Sequence, residues 1–283
     1  MEHQDEELHD DDKPVGHLLS RREMLQLLGG TGAVLITGWG VPRLVNAQSA
    51  TPTALPACVV RPELTEGPYF VDNQLERFDI RIDPTDESVK PGTPLRLVYR
   101  VSDVTGGVCA PLAGAQVDVW QCDADGVYTG VQDPNFDTSG EMWLRGYQIT
   151  DEDGMAEFLT IVPGWYSGRA VHIHFKIRTK TEPGESYEYT SQFFFDPDLI
   201  EEIYAAEPYA GNGLPDMPND RDFIFRDSEG QLTLGLTVLE AEELDELEIE
   251  SGYRAIFDVG LDLSDADVGA GDGFGAGRGG RGG

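Results

Sequence analysis

Short runs in which apolar and polar residues alternate dominate the chain from Pro94 onward, and they constrain its fold more than any other feature. In the first run the apolar positions are Leu95, Leu97, Tyr99 and Val101. This period of two is typical of a strand with one buried face. Strands are predicted at about 94–103, 115–122, 142–149, 154–161, 170–179, 187–195, 231–239 and 252–259, and a helix at 196–204. Strands of this number and spacing predict an all-β, Greek-key-like β-sandwich with long connecting loops.

The first 47 residues have the arrangement of a twin-arginine export signal. SerArgArgGluMetLeu (20–25) precedes an apolar stretch to about Val41 and then ValAsnAla (45–47). Because the apolar stretch is short and contains five glycines, cleavage after Ala47 is favoured over an uncleaved membrane helix. We therefore expect an extracytoplasmic protein, secreted or at the cell surface, that meets the membrane only during export.

Composition assigns one folded domain to 48–262. The Gly-rich segment 263–283 contains too few apolar residues to fold, and we expect it to be disordered. The net charge of −32, from 52 acidic and 20 basic residues, disfavours nucleic acid and anionic lipid as partners. An acidic, lysine-poor surface is also typical of proteins from high-salt environments, where salt screens the repulsion between its charges.

The three cysteines, Cys58, Cys109 and Cys122, form no CxxC pair, so a cysteine-based zinc site is disfavoured. Two of them could pair outside the cytoplasm, and the sequence does not indicate which two.

Two histidines remain once the leader with His3, His9 and His17 is removed. These are His172 and His174, in a run that reads as a strand. Residues two apart on a strand point to one face, about 6.6 Å from each other, so both imidazoles can reach one metal ion. The remaining ligands must then be oxygen or sulfur donors.

Tyr166 and Tyr128 are the candidate oxygen donors. Phenol titrates near pH 10, so a tyrosine ligand needs a strongly charged metal to keep its proton off at neutral pH. Two histidines with two tyrosines would therefore favour Fe(III) over softer metals.

Four stretches of the chain resemble the intradiol ring-cleavage dioxygenases, of which protocatechuate and catechol dioxygenases are familiar members. They are ThrGluGlyProTyrPhe (65–70), the block 114–130 ending in AspGlyValTyrThrGly, LeuArgGlyTyrGlnIleThrAspGluAspGly (144–154) and ProGlyTrpTyrSerGlyArgAlaValHisIleHisPhe (163–175). With their connections they cover nearly all of residues 58–196. The resemblance implies a non-haem Fe(III) enzyme with ligands at Tyr128, Tyr166, His172 and His174.

In that family a catechol binds the metal as a dianion, and the tyrosine that matches Tyr166 is displaced. Dioxygen then cleaves the ring between the two hydroxyl-bearing carbons, which gives a muconate-type diacid. The resemblance assigns stabilisation of the developing charge to Arg169, a polar supporting role to Gln192 and a place in the substrate pocket to Tyr69.

Further points, besides the pairing of the cysteines, stay open at the level of sequence. The interval between Tyr166 and His172 is shorter than in the best-known protocatechuate enzymes, so the ring substituents of the substrate are undetermined. An export signal and turn residues occupy the place of the long N-terminal helical region of the catechol type, which favours the protocatechuate-like core. The oligomeric state is unknown. The alternative function is an exported, non-enzymatic β-sandwich binding module, and a cupin-type enzyme is disfavoured because it normally requires a further histidine.

Overall fold

The computed structural model describes residues 59–72, 74–181 and 184–265. The predicted signal 1–47 lies outside these ranges, as do Cys58 and all but the first three residues of the predicted tail. The chain divides into two units, 1–53 and 54–283, and every described residue belongs to the second. Within the described ranges no helix is both long and apolar enough to cross a bilayer.

Ten strands in the described residues form two five-stranded sheets. They are β1 Pro94–Asp103, β2 Ala110–Pro111, β3 Gln116–Trp120, β4 Arg145–Ile149, β5 Met155–Ile161, β6 His172–Lys180, β7 Ser186–Phe195, β8 Thr233–Leu234, β9 Leu236–Val238 and β10 Tyr253–Leu261. The first sheet has the order β2-β1-β10-β9, with β5 also paired to β1, and the second has the order β4-β3-β6-β7-β8. The β1–β10 and β7–β8 pairs are parallel, and the other pairs are antiparallel.

Aromatic side chains from both sheets fill the space between them. The Tyr99 ring on β1 lies 5.4 Å from that of Phe175 on β6, and Phe175 lies 5.2 Å from Phe257 on β10. These rings are buried because strand alternation points them to the interior. The predicted all-β sandwich is confirmed. Since Phe175 points inward, its neighbour His174 must point to the opposite face of the second sheet.

Three short α-helices of the described residues lie beside the sandwich: α1 Pro197–Tyr204, α2 Phe223–Asp227 and α3 Ala241–Glu246. The helix α1 matches the predicted segment 196–204, and Asp196 caps it by accepting from the Asp198 amide at 2.9 Å. The run 231–239 is not the single strand that the alternation predicts. It forms β8 on the second sheet and β9 on the first, because the chain crosses between the sheets at Gly235.

The two cysteines of the described ranges differ in state. Cys109 is disulfide-bonded, whereas Cys122 is a free thiol with 1% exposure.

Candidate metal centre

Strand β6 carries both histidines in the middle of the second sheet. His174 lies opposite Trp120 of β3 and Gln192 of β7. The two imidazole rings are each 2% exposed, and their Nε2 atoms are 3.1 Å apart. The indole of Trp120 stacks on His174 at 5.0 Å between ring centres, with 10° between the planes. The i, i+2 spacing on a strand therefore brings both ring nitrogens to one point.

The orientation of His172 is fixed by its second ring nitrogen. His172 Nδ1 lies 2.6 Å from the backbone oxygen of Ala170. A carbonyl only accepts, so Nδ1 carries the proton and donates it, and the lone pair is left on Nε2. Histidine ligands of metals are commonly held in this way. The Nδ1 atom of His174 is buried, and no described residue forms a hydrogen bond with it that would fix the tautomer of this ring.

Both predicted tyrosines direct their hydroxyl groups at the histidine pair. Tyr128 Oη lies 3.4 Å from His172 Nε2, and Tyr166 Oη lies 3.2 Å from the same atom. Donor atoms that each lie about 2 Å from a shared ion are separated by about 3 Å. The donor set therefore fits a single metal ion. No group of three or more His, Cys, Asp and Glu side chains that could hold a metal occurs in the described ranges, so an ion here requires the phenol oxygens.

Burial determines the protonation state of the two imidazoles and the two phenols. It lowers the pKa of His172 to about 3, with a further contribution from the charge of Arg169, and it lowers the pKa of His174 well below its usual value. Both imidazoles are therefore neutral, as ligands must be. Burial raises the pKa of Tyr128 and of Tyr166 above the usual value of 10.0. Only a strongly charged cation bound between these groups would lower the pKa of the two phenols again, because it favours their deprotonated form.

Two glycines let the tyrosine-bearing loops approach each other. Tyr128 follows β3 and Tyr166 follows β5, and the loops meet where the Gly164 amide donates to the Asp123 oxygen at 3.0 Å. A Cβ atom at Gly164 would lie 2.3 Å from the backbone oxygen of Ala124. At Gly126, where φ is +81°, it would lie 2.1 Å from the Trp165 oxygen. No other residue type fits at either position.

Two further tyrosines support the loop that carries Tyr166, and the sequence did not indicate them. Tyr204 of α1 donates its hydroxyl proton to the Pro163 oxygen at 2.6 Å, and Tyr209 donates to the Val162 oxygen at 2.6 Å. Their rings stack at 4.8 Å with 3° between the planes. The contacts span more than 40 positions of sequence, so no local pattern could have revealed them.

Arg169 and Gln192 lie beside the histidines and contact each other. Arg169 Nη2 donates to Gln192 Oε1 at 2.6 Å, and Gln192 Nε2 donates to the Thr65 oxygen at 2.7 Å. On its other edge, Arg169 Nε donates to Asp222 Oδ2 at 2.8 Å. Sequence reasoning missed Asp222, which is a single carboxylate among 52 acidic residues.

The segment 65–70 lies against His174 and both candidate tyrosine ligands. Tyr69 stacks on Tyr128 at 4.4 Å and meets Tyr166 edge-on at 6.4 Å, and its hydroxyl donates to Asp133 at 2.9 Å. A Cβ atom at Gly67 would lie 3.3 Å from Cε1 of His174. The structure thus brings Tyr69 together with the other predicted site residues, next to both candidate tyrosine ligands.

Fold and site together define a class: an all-β sandwich with a buried centre of two histidines and two tyrosines, suited to a hard metal ion. A family model described as "Dioxygenase" matches residues 65–209, just over half of the 283 residues. The chain therefore belongs to this dioxygenase family.

Individual relatives agree with the family. A chlorocatechol 1,2-dioxygenase of Pseudomonas putida is 29% identical over 156 residues, which are 46% of this chain and 52% of that protein. A protocatechuate 3,4-dioxygenase beta chain of Burkholderia cepacia is 36% identical over 113 residues, 34% of this chain and 44% of that one. The chain spans about half the length of the curated relatives it matches.

A solved structure, an intradiol ring-cleavage dioxygenase from Tetranychus urticae, aligns over 73% of this chain and 96% of its own. Its TM-score is 0.58 and its sequence identity is 27%. This alignment covers almost the whole of that chain, so the likeness extends over the complete sandwich rather than a single motif.

Proposed function

We propose that the protein is a non-haem Fe(III) intradiol dioxygenase. It would cleave the ring of a catechol-type aromatic between the two hydroxyl-bearing carbons, using both atoms of O2 to give a muconate-type diacid. The observation that carries the proposal is the convergence of two phenol oxygens and two imidazole nitrogens on one point, with separations of 3.1 to 3.4 Å from His172 Nε2. The names of the relatives above support the reaction type.

Tyr128, Tyr166, His172 and His174 would hold the iron. When bound, Fe(III) would supply the positive charge that favours the deprotonated form of phenols and catechols, and it would activate the ring toward dioxygen. The protein contributes the geometry: Trp120 stacks on His174, Tyr69 stacks on Tyr128, and both rings help to exclude water from the centre.

Tyr128 and Tyr166 differ in solvent exposure, and we propose different roles for them on this basis. Tyr128 is 0% exposed, whereas Tyr166 is partly exposed and is followed by the exposed Ser167 and Gly168. A catechol therefore approaches on the Tyr166 side. In the loaded enzyme the Tyr166 oxygen is placed to accept a proton from a substrate hydroxyl, while Tyr128 stays in place.

Arg169 is the cation available for negative charge that develops on the ring. Its guanidinium is held at Nε by Asp222 and at Nη2 by Gln192, so its position does not depend on the substrate. A fixed donor of this kind stabilises charge without reorganising during the reaction. Gln192 would act through Arg169, which it holds.

Carboxylates near the entrance favour an uncharged catechol. Asp133 bonds the Tyr69 hydroxyl, and the exposed Asp216 accepts from Ser167 Oγ at 2.6 Å, next to Tyr166. A ring that carries its own carboxylate would meet these negative charges, and like charges facing each other weaken binding. Catechol and chlorocatechol are therefore proposed as better substrates than protocatechuate, in contrast to the protocatechuate-like type that the N-terminal sequence favours.

Anaerobic titration of the purified, iron-loaded protein with a panel of catechols tests the proposal. We expect a visible tyrosinate-to-iron band that shifts on binding, with tighter binding of catechol and 4-chlorocatechol than of protocatechuate. Admission of oxygen should consume one O2 per ring and yield a diacid. A colourless protein that holds zinc, or one that takes up no oxygen with any catechol, would contradict the proposal and favour the binding module.

We further propose that the chain is exported by the twin-arginine pathway and works in high salt, on the basis of segment 1–47 and the charge of −32. Self-repulsion of such a surface weakens as salt screens it. The melting temperature is therefore expected to rise by roughly 10 °C between low and molar KCl. In a domain of this size, such a rise corresponds to an increase of about 3 kcal/mol in the free energy of unfolding. Calorimetry at increasing KCl concentration measures the melting temperature, and an unchanged value contradicts the proposed adaptation to high salt.

A further inference from the structure

The carboxylate of Asp222 is fully enclosed, and both of its oxygens are used. Oδ2 accepts from Arg169 Nε and from the Ala170 amide, each at 2.8 Å. Oδ1 accepts from the amides of Ile224 and Phe225, at 2.8 and 3.3 Å, and so caps helix α2. The side chain has no solvent exposure. A single buried charge therefore connects the start of α2 to the segment that precedes His172.

This connection reaches the candidate metal centre along two routes. The first is the guanidinium of Arg169, which donates from Nε to Asp222 and from Nη2 to Gln192. The second is the backbone of Ala170: its amide donates to Asp222, and its carbonyl accepts from His172 Nδ1 at 2.6 Å. Both the charged donor of the site and the hydrogen bond that orients His172 thus depend on the position of one carboxylate.

We propose that Asp222 is a positioning residue for ring cleavage, which holds Arg169 and the Ala170 backbone in their working arrangement. The inference rests on the proposed function, since Arg169 acts on the substrate only there. A carboxylate suits the task because it accepts two bonds at each oxygen and neutralises a guanidinium that is only 14% exposed. Without it, the arginine side chain would keep its bond to Gln192 but lose its second anchor.

Two substitutions separate this role from helix capping. Asp222→Asn leaves one carbonyl oxygen, which cannot serve both α2 and Arg169. Asp222→Ser keeps a good helix cap but removes the acceptor from Arg169. The matched control is Asp196→Asn, which changes the aspartate cap of α1 at a place where the described contacts include no arginine. Comparison of melting temperatures identifies any loss of fold.

We expect both Asp222 variants to bind iron, because the four candidate ligands are unchanged, and to show a visible band that is shifted by the altered support of His172. Their affinity for catechol should be nearly unchanged, while kcat falls at least tenfold. Asp196→Asn should retain wild-type kcat. The double variant Arg169→Lys, Asp222→Ser should lose less than the product of the two single losses, because residues that act through one another are not additive. Such non-additivity is not expected of a purely structural defect.

A kcat within twofold of wild type in a folded Asp222→Ser protein would overturn the inference. So would a double variant whose loss equals the product of the two single losses. Failure of the proposed function has a different signature, because the wild-type protein itself would then lack the visible band or take up no oxygen with catechols.

Discussion

Tyr128→Phe is expected to bind iron poorly and to lose at least a thousandfold in kcat, equivalent to about 4 kcal/mol of transition-state stabilisation. The substitution removes one of the four proposed donors and the anionic charge that would favour Fe(III). Tyr128 is completely buried, so water cannot easily replace the missing oxygen. Iron analysis, the visible spectrum and oxygen uptake with catechol measure the effect, and the band should shift and weaken.

Tyr99→Phe is the matched control. Tyr99 is also 0% exposed, and burial likewise raises its pKa, but it lies in the core between the sheets and its hydroxyl has no hydrogen-bond partner among the described residues. Removal of that hydroxyl should leave iron content, colour and kcat unchanged, with equal or greater stability. If Tyr128→Phe behaved like Tyr99→Phe, the assignment of Tyr128 as a ligand would be wrong.

The longer strands could be predicted because each one carries its own pattern. The two-residue β2 was not predicted, and one predicted strand is divided into β8 and β9. The first run matches β1 at both ends, 94 and 103, since alternation along ten residues specifies both the element and the face that is buried. The short helices α2 and α3 could not be predicted in the same way. Each has fewer than two turns, so no helical period develops, and α2 is stabilised by Asp222, which also contacts distant residues.

The candidate site could be predicted in part. His172 and His174 share a strand, so local geometry already places them together. Tyr128 is 44 residues from His172, and its choice over other tyrosines depended on the family resemblance. Asp222 had no such support, because it lies outside the four stretches that resemble the dioxygenase family. Its contacts to Arg169 and Ala170 exist only in the folded chain.

Gly164→Ala is expected to damage the centre without altering any candidate ligand. The added methyl group would lie 2.3 to 2.5 Å from backbone atoms of Asp123 and Ala124, which cannot move aside as a flexible side chain could. The loops that carry Tyr128 and Tyr166 must then separate. A steric conflict with backbone costs about 3 kcal/mol or more, which lowers the melting temperature by roughly 6–12 °C in a domain of this size. Iron occupancy should fall at least tenfold, because donors about 3 Å apart tolerate little displacement.

Gly235→Ala provides the comparison, since a Cβ atom there would meet nothing within 4 Å and the backbone is not left-handed. This variant should retain its iron and its melting temperature. Gly164 also lacks a positive φ, so any defect of Gly164→Ala arises from crowding between the loops and not from backbone strain. A Gly164→Ala protein that bound iron as wild type does would show that the two tyrosine loops need not approach closely. The metal would then have to be held by a different set of donors.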